Sequence, residues 1–173
     1  MQTLVVPAVM IMTVTALGTT AHSAPNFNWE VKGRVSFQIS DYEEFDANEH
    51  CNTSWEFTHK GKGSLPQDNF WYAKCGGEIR AEIHYTIQNR SRSAVIINGS
   101  VKLYEGTSDD TRDLDGGYPI AGPVAGHINI PESQPVTKTY TVTNAKEQEP
   151  NDRADITITW HKLPLRAIGK APR

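Results

Sequence analysis

The sequence lacks the features that identify most enzymes and membrane proteins. Beyond residue 23, no apolar run approaches the roughly 18 residues that a transmembrane helix needs. No segment there shows the apolar spacing of about 3.6 residues that is typical of an amphipathic helix. The sequence contains no G-x-S-x-G motif, and no two histidines have the spacing of a zinc-binding pair. These absences argue against a helical fold, a chain with several membrane spans and a motif-based serine hydrolase.

Excess charge is also small, because the formal net charge is only −3. So mild an excess does not indicate nucleic acid or a membrane surface as the partner. The charge is unevenly distributed, since residues 162–173 contain no acid but four basic side chains: Lys162, Arg166, Lys170 and Arg173. These residues predict a basic, flexible C-terminal tail, with docking to a partner as the alternative.

The first 23 residues contain no charged side chain, and Leu4 to Gly18 are nearly all apolar or small. An apolar run of about 15 residues is too short to cross a bilayer and is typical of a secretory signal peptide. The start departs from the usual pattern, because no Lys or Arg precedes the apolar run. We predict a signal peptide over residues 1–23, a single domain over 24–161, and a secreted, extracellular or periplasmic protein.

Cysteine is scarce, with only Cys51 and Cys75 in the sequence. In an exported chain, an even pair of cysteines indicates a disulfide bond. It would close a loop of about 25 residues and stabilise the fold by roughly 3 kcal/mol in the chain-entropy model. A metal or reactive thiol pair is disfavoured because the spacing is not Cys-x-x-Cys.

Strict alternation of apolar and polar residues is the dominant pattern that is present. It is clearest in WEVKGRVSFQIS and EIRAEIHYTIQN, and it recurs in AVIINGSVKLYEG, VTKTYTVTN and ADITITWHKL. The predicted inward side chains include Trp29, Ile83, Ile97 and Trp160, whereas His84 falls on the polar register. A period of two residues predicts half-buried strands of antiparallel sheets. We predict an all-β antiparallel sandwich of seven or eight strands, with a small β-barrel as the second choice.

Acidic residues are concentrated in two segments, YEGTSDDTRDLDGG and DYEEFDANE. The first does not match the EF-hand template, because Gly122 falls where the bidentate Glu is required. Acid-rich loops at one end of a sandwich can still supply oxygen ligands to Ca²⁺ jointly. The candidate calcium ligands are Asp109, Asp110, Asp113, Asp115, Asp41 and Asp46. The alternative is that both segments are solvated turns, in which Asp is common.

The segment NFWYAKC places three aromatic residues in succession, so they cannot all point into the core. Trp71 and Tyr72, together with the loop residue Tyr118, are therefore candidate ligand contacts. An exposed aromatic ring is suited to stacking on a sugar or to anchoring a protein partner.

These patterns favour a secreted binding module, with or without Ca²⁺, that recognises a glycan, a cell-surface partner or another protein through loops at one end of the sandwich. One alternative is a small secreted hydrolase with paired carboxylates, for which the strand residues Glu30, Glu56, Glu78 and Glu82 are available. The other is a secreted inhibitor or effector that presents the loop around Gly61 to Gln67 to a protein target.

Overall fold

The computed structural model describes residues 28–42, 47–108, 110–144 and 152–164. These residues form no helix, and therefore none that is long and apolar enough to cross a membrane. The predicted signal peptide, Asp46, Asp109 and residues 165–173 lie outside the described residues. The strands are β1 Asn28–Asp41, β2 Glu49–Lys62, β3 Gln67–Cys75, β4 Ile79–Arg90, β5 Ser93–Tyr104, β6 Leu114–Ala121, β7 Ile128–Pro131, β8 Val136–Thr143 and β9 Arg153–Lys162.

The strands form two antiparallel sheets that pack against each other. The first sheet has the order β2-β1-β9-β8, and the second has the order β3-β4-β5-β6, with β7 also paired to β5. The predicted β-sandwich is confirmed. The barrel alternative is wrong, because in the described part of the chain no hydrogen-bonded ladder joins the edge strands of one sheet to those of the other.

The alternating apolar residues fill the space between the two sheets, as the period of two predicts. Those of β1, β4 and β9 are almost fully buried: Trp29, Val31, Val35, Phe37, Ile39, Ile79, Ala81, Ile83, Tyr85, Ile87, Ala154, Ile156, Ile158 and Trp160. Gly33 also lies on the inward register of β1. A Cβ there would lie 2.3 Å from the ring of Phe57, its partner on β2, so the absent side chain makes room for that ring.

A polar pair lies within this core. The Nε2 atom of His59 on β2 is 2.7 Å from the hydroxyl of Tyr85 on β4, and both side chains are buried. Burial lowers the pKa of His59 from 6.5 to about 4, and it raises the pKa of Tyr85. Both groups are therefore neutral at pH 7, and they satisfy each other's hydrogen-bonding capacity inside an apolar environment.

The prediction that Ile97 points inward is wrong, and a β-bulge is the reason. Thr86 pairs with Asn98 while the next residue, Ile87, pairs with Ile96, so Ile97 has no partner on β4. One extra residue inverts the alternation along the strand. Ala94 and Ile96 therefore point into the core, while Ile97 is only half-buried.

Strand β6 was not predicted from the sequence. The acidic segment read as one loop from Tyr104 to Gly117 is shorter in the structure, because Tyr104 ends β5 and Leu114 begins β6. The strand sequence LDGGYPIA has two glycines and a proline where alternating apolar residues would indicate a strand. Its hydrogen-bonded partner β5 keeps it extended despite this weak local preference.

The predicted start of the basic tail at Lys162 is also wrong. Lys162 is the last residue of β9, and its side chain is fully buried. Its Nζ atom donates to the Glu132 carboxylate at 2.6 Å and to the Ser91 carbonyl oxygen at 2.9 Å. The ammonium group is thus paired inside the protein, and the tail prediction now concerns residues beyond the described part of the chain.

The predicted disulfide between Cys51 and Cys75 is present, with an S–S distance of 2.05 Å. It joins β2 to β3, which are edge strands of different sheets. The chain also passes from β2 to β3 through the short turn at residues 63–66. The two sheets are therefore covalently linked at this edge in two places, by the disulfide near one end of β2 and β3 and by the turn at the other.

Candidate functional site

The outer face of the second sheet is concave where two irregularities lie side by side. One is the bulge at Ile97, and the other is a register shift between β5 and β6, where Gly99 pairs with Ala121 but Ser100 pairs with Pro119. Bulges bend strands and increase their twist, and they often occur next to binding sites. The resulting depression has a volume of about 500 Å³, and we call it the aromatic groove. It is lined by Asp68, Asn69, Phe70, His84, Tyr85, Thr86, Asn98, Gly99, Ser100 and Pro119.

Three rings form a contiguous array, of which Phe70 and His84 line the groove and Tyr72 lies beside it. Phe70 and Tyr72 lie on the outward register of β3, and their rings are stacked with centroids 5.5 Å apart. Phe70 also contacts His84, its partner on β4, with ring centroids 4.4 Å apart. Phe70 is 48% exposed and Tyr72 is 46% exposed. This array leaves a large part of two aromatic side chains available to a ligand.

A buried carboxylate orients the imidazole of His84. Glu82 is 7% exposed, and its two oxygens accept hydrogen bonds from Arg80 Nε and His84 Nε2, both at 2.8 Å. Arg80 is itself held by the Thr111 carbonyl oxygen and lies over the Tyr104 ring. Because an ionised carboxylate can only accept, Nε2 of His84 is the donor of this hydrogen bond.

The floor and the far wall of the groove carry hydroxyl and amide groups. The Thr86 hydroxyl donates to the Asp68 carboxylate at 2.6 Å, and the Asn98 side-chain oxygen accepts from the Gly99 N–H at 3.0 Å. Gly99 allows the strands to pack closely here, because a Cβ there would lie 2.8 Å from the His84 carbonyl oxygen. Ser100 lies directly opposite His84 in the strand register. The groove thus combines an aromatic wall with neutral hydrogen-bonding groups and one carboxylate.

A second depression lies around the edge of β3, and we call it the aromatic cleft. It has a volume of about 420 Å³ and is lined by Thr53, Trp55, Phe70, Trp71, Tyr72 and Ala73. The rings of Trp55 and Trp71 have centroids 6.2 Å apart, and Phe57 packs 5.6 Å from Trp71. Trp55 is 37% exposed, whereas Trp71 packs against the core.

The predicted aromatic contacts fall in different places. Tyr72 is on the outer face beside the groove, but Trp71 points toward the core and reaches solvent only in the cleft. Tyr118 is 41% exposed and lies at the opposite edge of the sandwich, beside Tyr140 of β8. Burial raises the pKa of Tyr140 to about 12, with a further contribution from Tyr118. The sequence did not single out Phe70, although its even-numbered register on β3 matches that of Tyr72.

The two acidic segments lie at one end of the sandwich, which we call the acidic end, and hydrogen bonds connect them. The Glu105 N–H donates to the Asp115 carboxylate at 2.9 Å, and the Asn144 side-chain amide donates to Glu105. The Asn144 N–H then donates to the backbone oxygen of Asp152, whose carboxylate accepts from the Tyr42 N–H at 2.8 Å. The buried carboxylates therefore fix the loops at this end.

The described candidate calcium ligands do not form a compact oxygen cage. Asp41 and Asp115 are buried, Asp110 forms a salt bridge with Lys74 at 3.1 Å, and Asp113 is exposed. Among the described residues, only one group of three potential ligand side chains lies within 4.8 Å of one another. It consists of Glu49, Cys51 and Cys75, and its two sulfur atoms are bonded to each other in the disulfide.

Two of the strand glutamates considered for a hydrolase form ion pairs, and the loop considered for an inhibitor is a short turn. Glu30 forms salt bridges with Lys32 and Lys60 on the surface, and Glu82 is held by Arg80 and His84. Among the described residues that line the groove, Asp68 has the single carboxylate. The loop proposed for an inhibitor is a four-residue turn over residues 63–66, since Gly61 and Gln67 belong to strands. The Gln88 side chain anchors this turn by donating to the Ser64 carbonyl oxygen, and the Gln67 side chain donates to the Lys60 carbonyl oxygen on β2.

No protein-family model matches the sequence, and no curated protein shows significant sequence similarity to it. The function of the protein is therefore inferred from the geometry of the groove, the cleft and the acidic end.

Proposed function

We propose that the protein is a secreted glycan-binding module and that the aromatic groove is its binding surface. The observation that carries this proposal is the array of Phe70, Tyr72 and His84 at the wall of a groove lined by hydroxyl and amide groups. Sugars present apolar ring faces and a surrounding set of hydroxyls, which match aromatic rings and neutral hydrogen-bonding groups respectively. The disulfide between Cys51 and Cys75 supports an oxidising compartment for this activity.

The chemistry of the lining favours a neutral glycan over an anionic ligand. Asp68 is the only acidic side chain among the described lining residues, and it would repel an acidic group. Glu82 holds Nε2 of the His84 ring, which leaves Nδ1 for a hydrogen bond with a sugar hydroxyl. The hydroxyls of Thr86 and Ser100 can donate or accept, so the groove can bind hydroxyls without a metal ion.

Affinity electrophoresis tests the proposal directly. The mature protein is run through native gels that contain soluble xylan, mannan, laminarin or hydroxyethyl cellulose, with an empty gel as the reference. We expect retardation by at least one polysaccharide, and the F70A and Y72A variants should each weaken binding about tenfold or more. The matched control is Y118A, because Tyr118 is similarly exposed but lies away from the groove.

Absence of retardation in all four gels, together with no signal on an array of diverse glycans, would remove the basis of the proposal. Equal loss of binding in Y118A would place the glycan elsewhere on the surface. Thermal unfolding of each variant separates lost binding from lost folding, since Phe70 and Tyr72 are exposed and contribute little to the core.

Calcium assistance at the acidic end stays a prediction with its own test. The mature protein is melted in EDTA, in millimolar CaCl₂ and in MgCl₂. Binding to the folded state at 100 times Kd adds about 2.7 kcal/mol, which is a shift of several degrees in a domain of this size. A calcium-specific rise that D110N and D113N abolish would support a calcium site. Equal melting temperatures would leave the carboxylates with their role in fixing loops.

A further inference from the structure

Three depressions follow one another around the edge formed by β2 and β3. The aromatic groove and the aromatic cleft share Phe70, and the cleft shares Thr53 with a third depression on the outer face of the first sheet. We call this third one the polar depression. It has a volume of about 230 Å³ and is lined by Arg34, Ser36, Phe37, Gln38, Asn52, Thr53 and Ser54. Through these shared residues the three depressions follow one another along a path from the outer face of the second sheet, around the edge of β3 and β2, to the outer face of the first sheet.

The middle of this path is rigid and already formed. Ring contacts with Phe37 at 5.8 Å and with Trp71 at 6.2 Å hold the indole of Trp55. Every residue that lines the cleft lies between Cys51 and Cys75, so the disulfide encloses the cleft in a covalent ring. A ligand that enters the cleft does not have to order its walls, which lowers the entropic cost of binding.

The chemistry of the groove is repeated at the far end of the path. In the register of β1 and β2, Ser36 lies opposite Ser54 and Gln38 lies opposite Asn52, which makes a patch of hydroxyl and amide side chains. Arg34 donates to the Ser54 hydroxyl at 2.8 Å, and no carboxylate lines this depression in the described residues. Neutral hydrogen-bonding groups thus lie on both sides of an aromatic segment.

We infer that the ligand is a neutral oligosaccharide that bends around the edge of β2 and β3 and occupies all three depressions, with Trp55 as the aromatic contact of the middle one. The inference rests on the proposed function, and it specifies that function further. A ligand confined to the groove would leave Trp55 and the polar depression unused, although the cleft shares Phe70 with the groove and Thr53 with the polar depression. A chain of sugar rings offers the alternating apolar faces and hydroxyls that this path can bind.

Calorimetric titration of oligosaccharides of two lengths tests the inference. The probes are disaccharides and hexasaccharides of the xylan, mannan, β-1,3-glucan and cellulose series. We expect the hexasaccharide of the recognised series to bind wild-type protein at least about tenfold more tightly than the disaccharide. W55A should lose this advantage and leave the disaccharide affinity unchanged, whereas F70A should weaken both ligands. W55F keeps a ring against Phe37 and Trp71, and it should recover part of the advantage.

The possible results separate this inference from the proposed function. Equal affinity for both lengths, or an undiminished length dependence in W55A, would overturn the inference. The proposed function would still stand in that case if F70A weakened binding. No binding of either length would overturn both. Tryptophan fluorescence provides a second readout: the hexasaccharide should change the emission more than the disaccharide does, and W55F should reduce that difference, with Trp71 as the remaining indole of the cleft. A hexasaccharide response that is unchanged in W55F would contradict a contact with Trp55.

Discussion

The buried pair of His59 and Tyr85 makes the stability of the fold depend on pH in a way that can be calculated. Burial lowers the pKa of His59 from 6.5 to about 4 in the folded protein. Between these two values the unfolded chain binds a proton that the folded chain does not. The free energy of unfolding therefore rises with pH across this range, and the contribution is complete above pH 6.5.

The size of the effect follows from the same two values. Each pKa unit corresponds to about 1.36 kcal/mol, so a fall in pH from 7.5 to 5.0 removes about 2 kcal/mol, and the full loss below pH 4 is roughly 3 kcal/mol. The physical cause is that a protonated His59 would be charged in an apolar interior. Its Nε2 would also become a donor only, so it could no longer accept from the Tyr85 hydroxyl.

Urea denaturation of the wild type and an H59Q variant at pH 7.5 and 5.0 measures this contribution. Glutamine can still hydrogen-bond to Tyr85 but does not titrate, and the surface carboxylates are common to both proteins. We expect the wild type to lose about 2 kcal/mol more than H59Q over this interval. The double variant H59F/Y85F gives a second background without the pair.

Equal losses in the wild type and H59Q would refute the reasoning. An NMR titration of the His59 ring in the native protein gives an independent answer, even if a variant fails to fold. A midpoint near 6.5 would mean that the imidazole is solvated in the folded state. A midpoint near 4 would agree with the burial of His59 between the sheets.

Two further predictions concern the covalent and ionic links between strands. The C51A/C75A double variant should have a free energy of unfolding lower by roughly 3 kcal/mol, measured by urea denaturation, because its unfolded chain is no longer cross-linked. An unchanged free energy would mean that strain in the folded state offsets the entropic gain. K162M should lose roughly 3 kcal/mol, because the partly buried Glu132 carboxylate would lack its partner. Lys138 is exposed, so K138M is the control and should change the free energy of unfolding by less than about 0.5 kcal/mol.

Much of the fold could be predicted because period-two patterning reports directly which side of a strand is buried. Trp29 to Ile39 on β1 and Ile79 to Ile87 on β4 follow the predicted register without exception for their apolar members. The pairing of Cys51 with Cys75 was predictable because the sequence offers no other cysteine. The sequence did not predict two features in which tertiary contacts outweigh the local pattern. These are the bulge at Ile97 and the glycine-containing strand β6.

The candidate site was only partly predictable, since it depends on how distant segments pair. The even register of β3 is outward, and it includes both Phe70 and Tyr72, so the sequence contained a signal for two exposed aromatics. The contact between Phe70 and His84 requires the register of β3 against β4. The approach of Trp55 to Trp71 requires two strands of different sheets to meet at an edge. No periodicity within a single segment encodes either relation.

The covalent ring between Cys51 and Cys75 has a consequence for the effect of proteolysis on the protein. The turn at residues 63–66 carries Leu65, whose side chain is 75% exposed, and such turns are preferred sites of cleavage. A cut there would break the chain but release no fragment, because the disulfide still joins β2 to β3 and each strand keeps its ladder within its own sheet. The nicked protein would therefore keep both walls of the aromatic cleft, and a reducing agent would be needed to separate its two pieces.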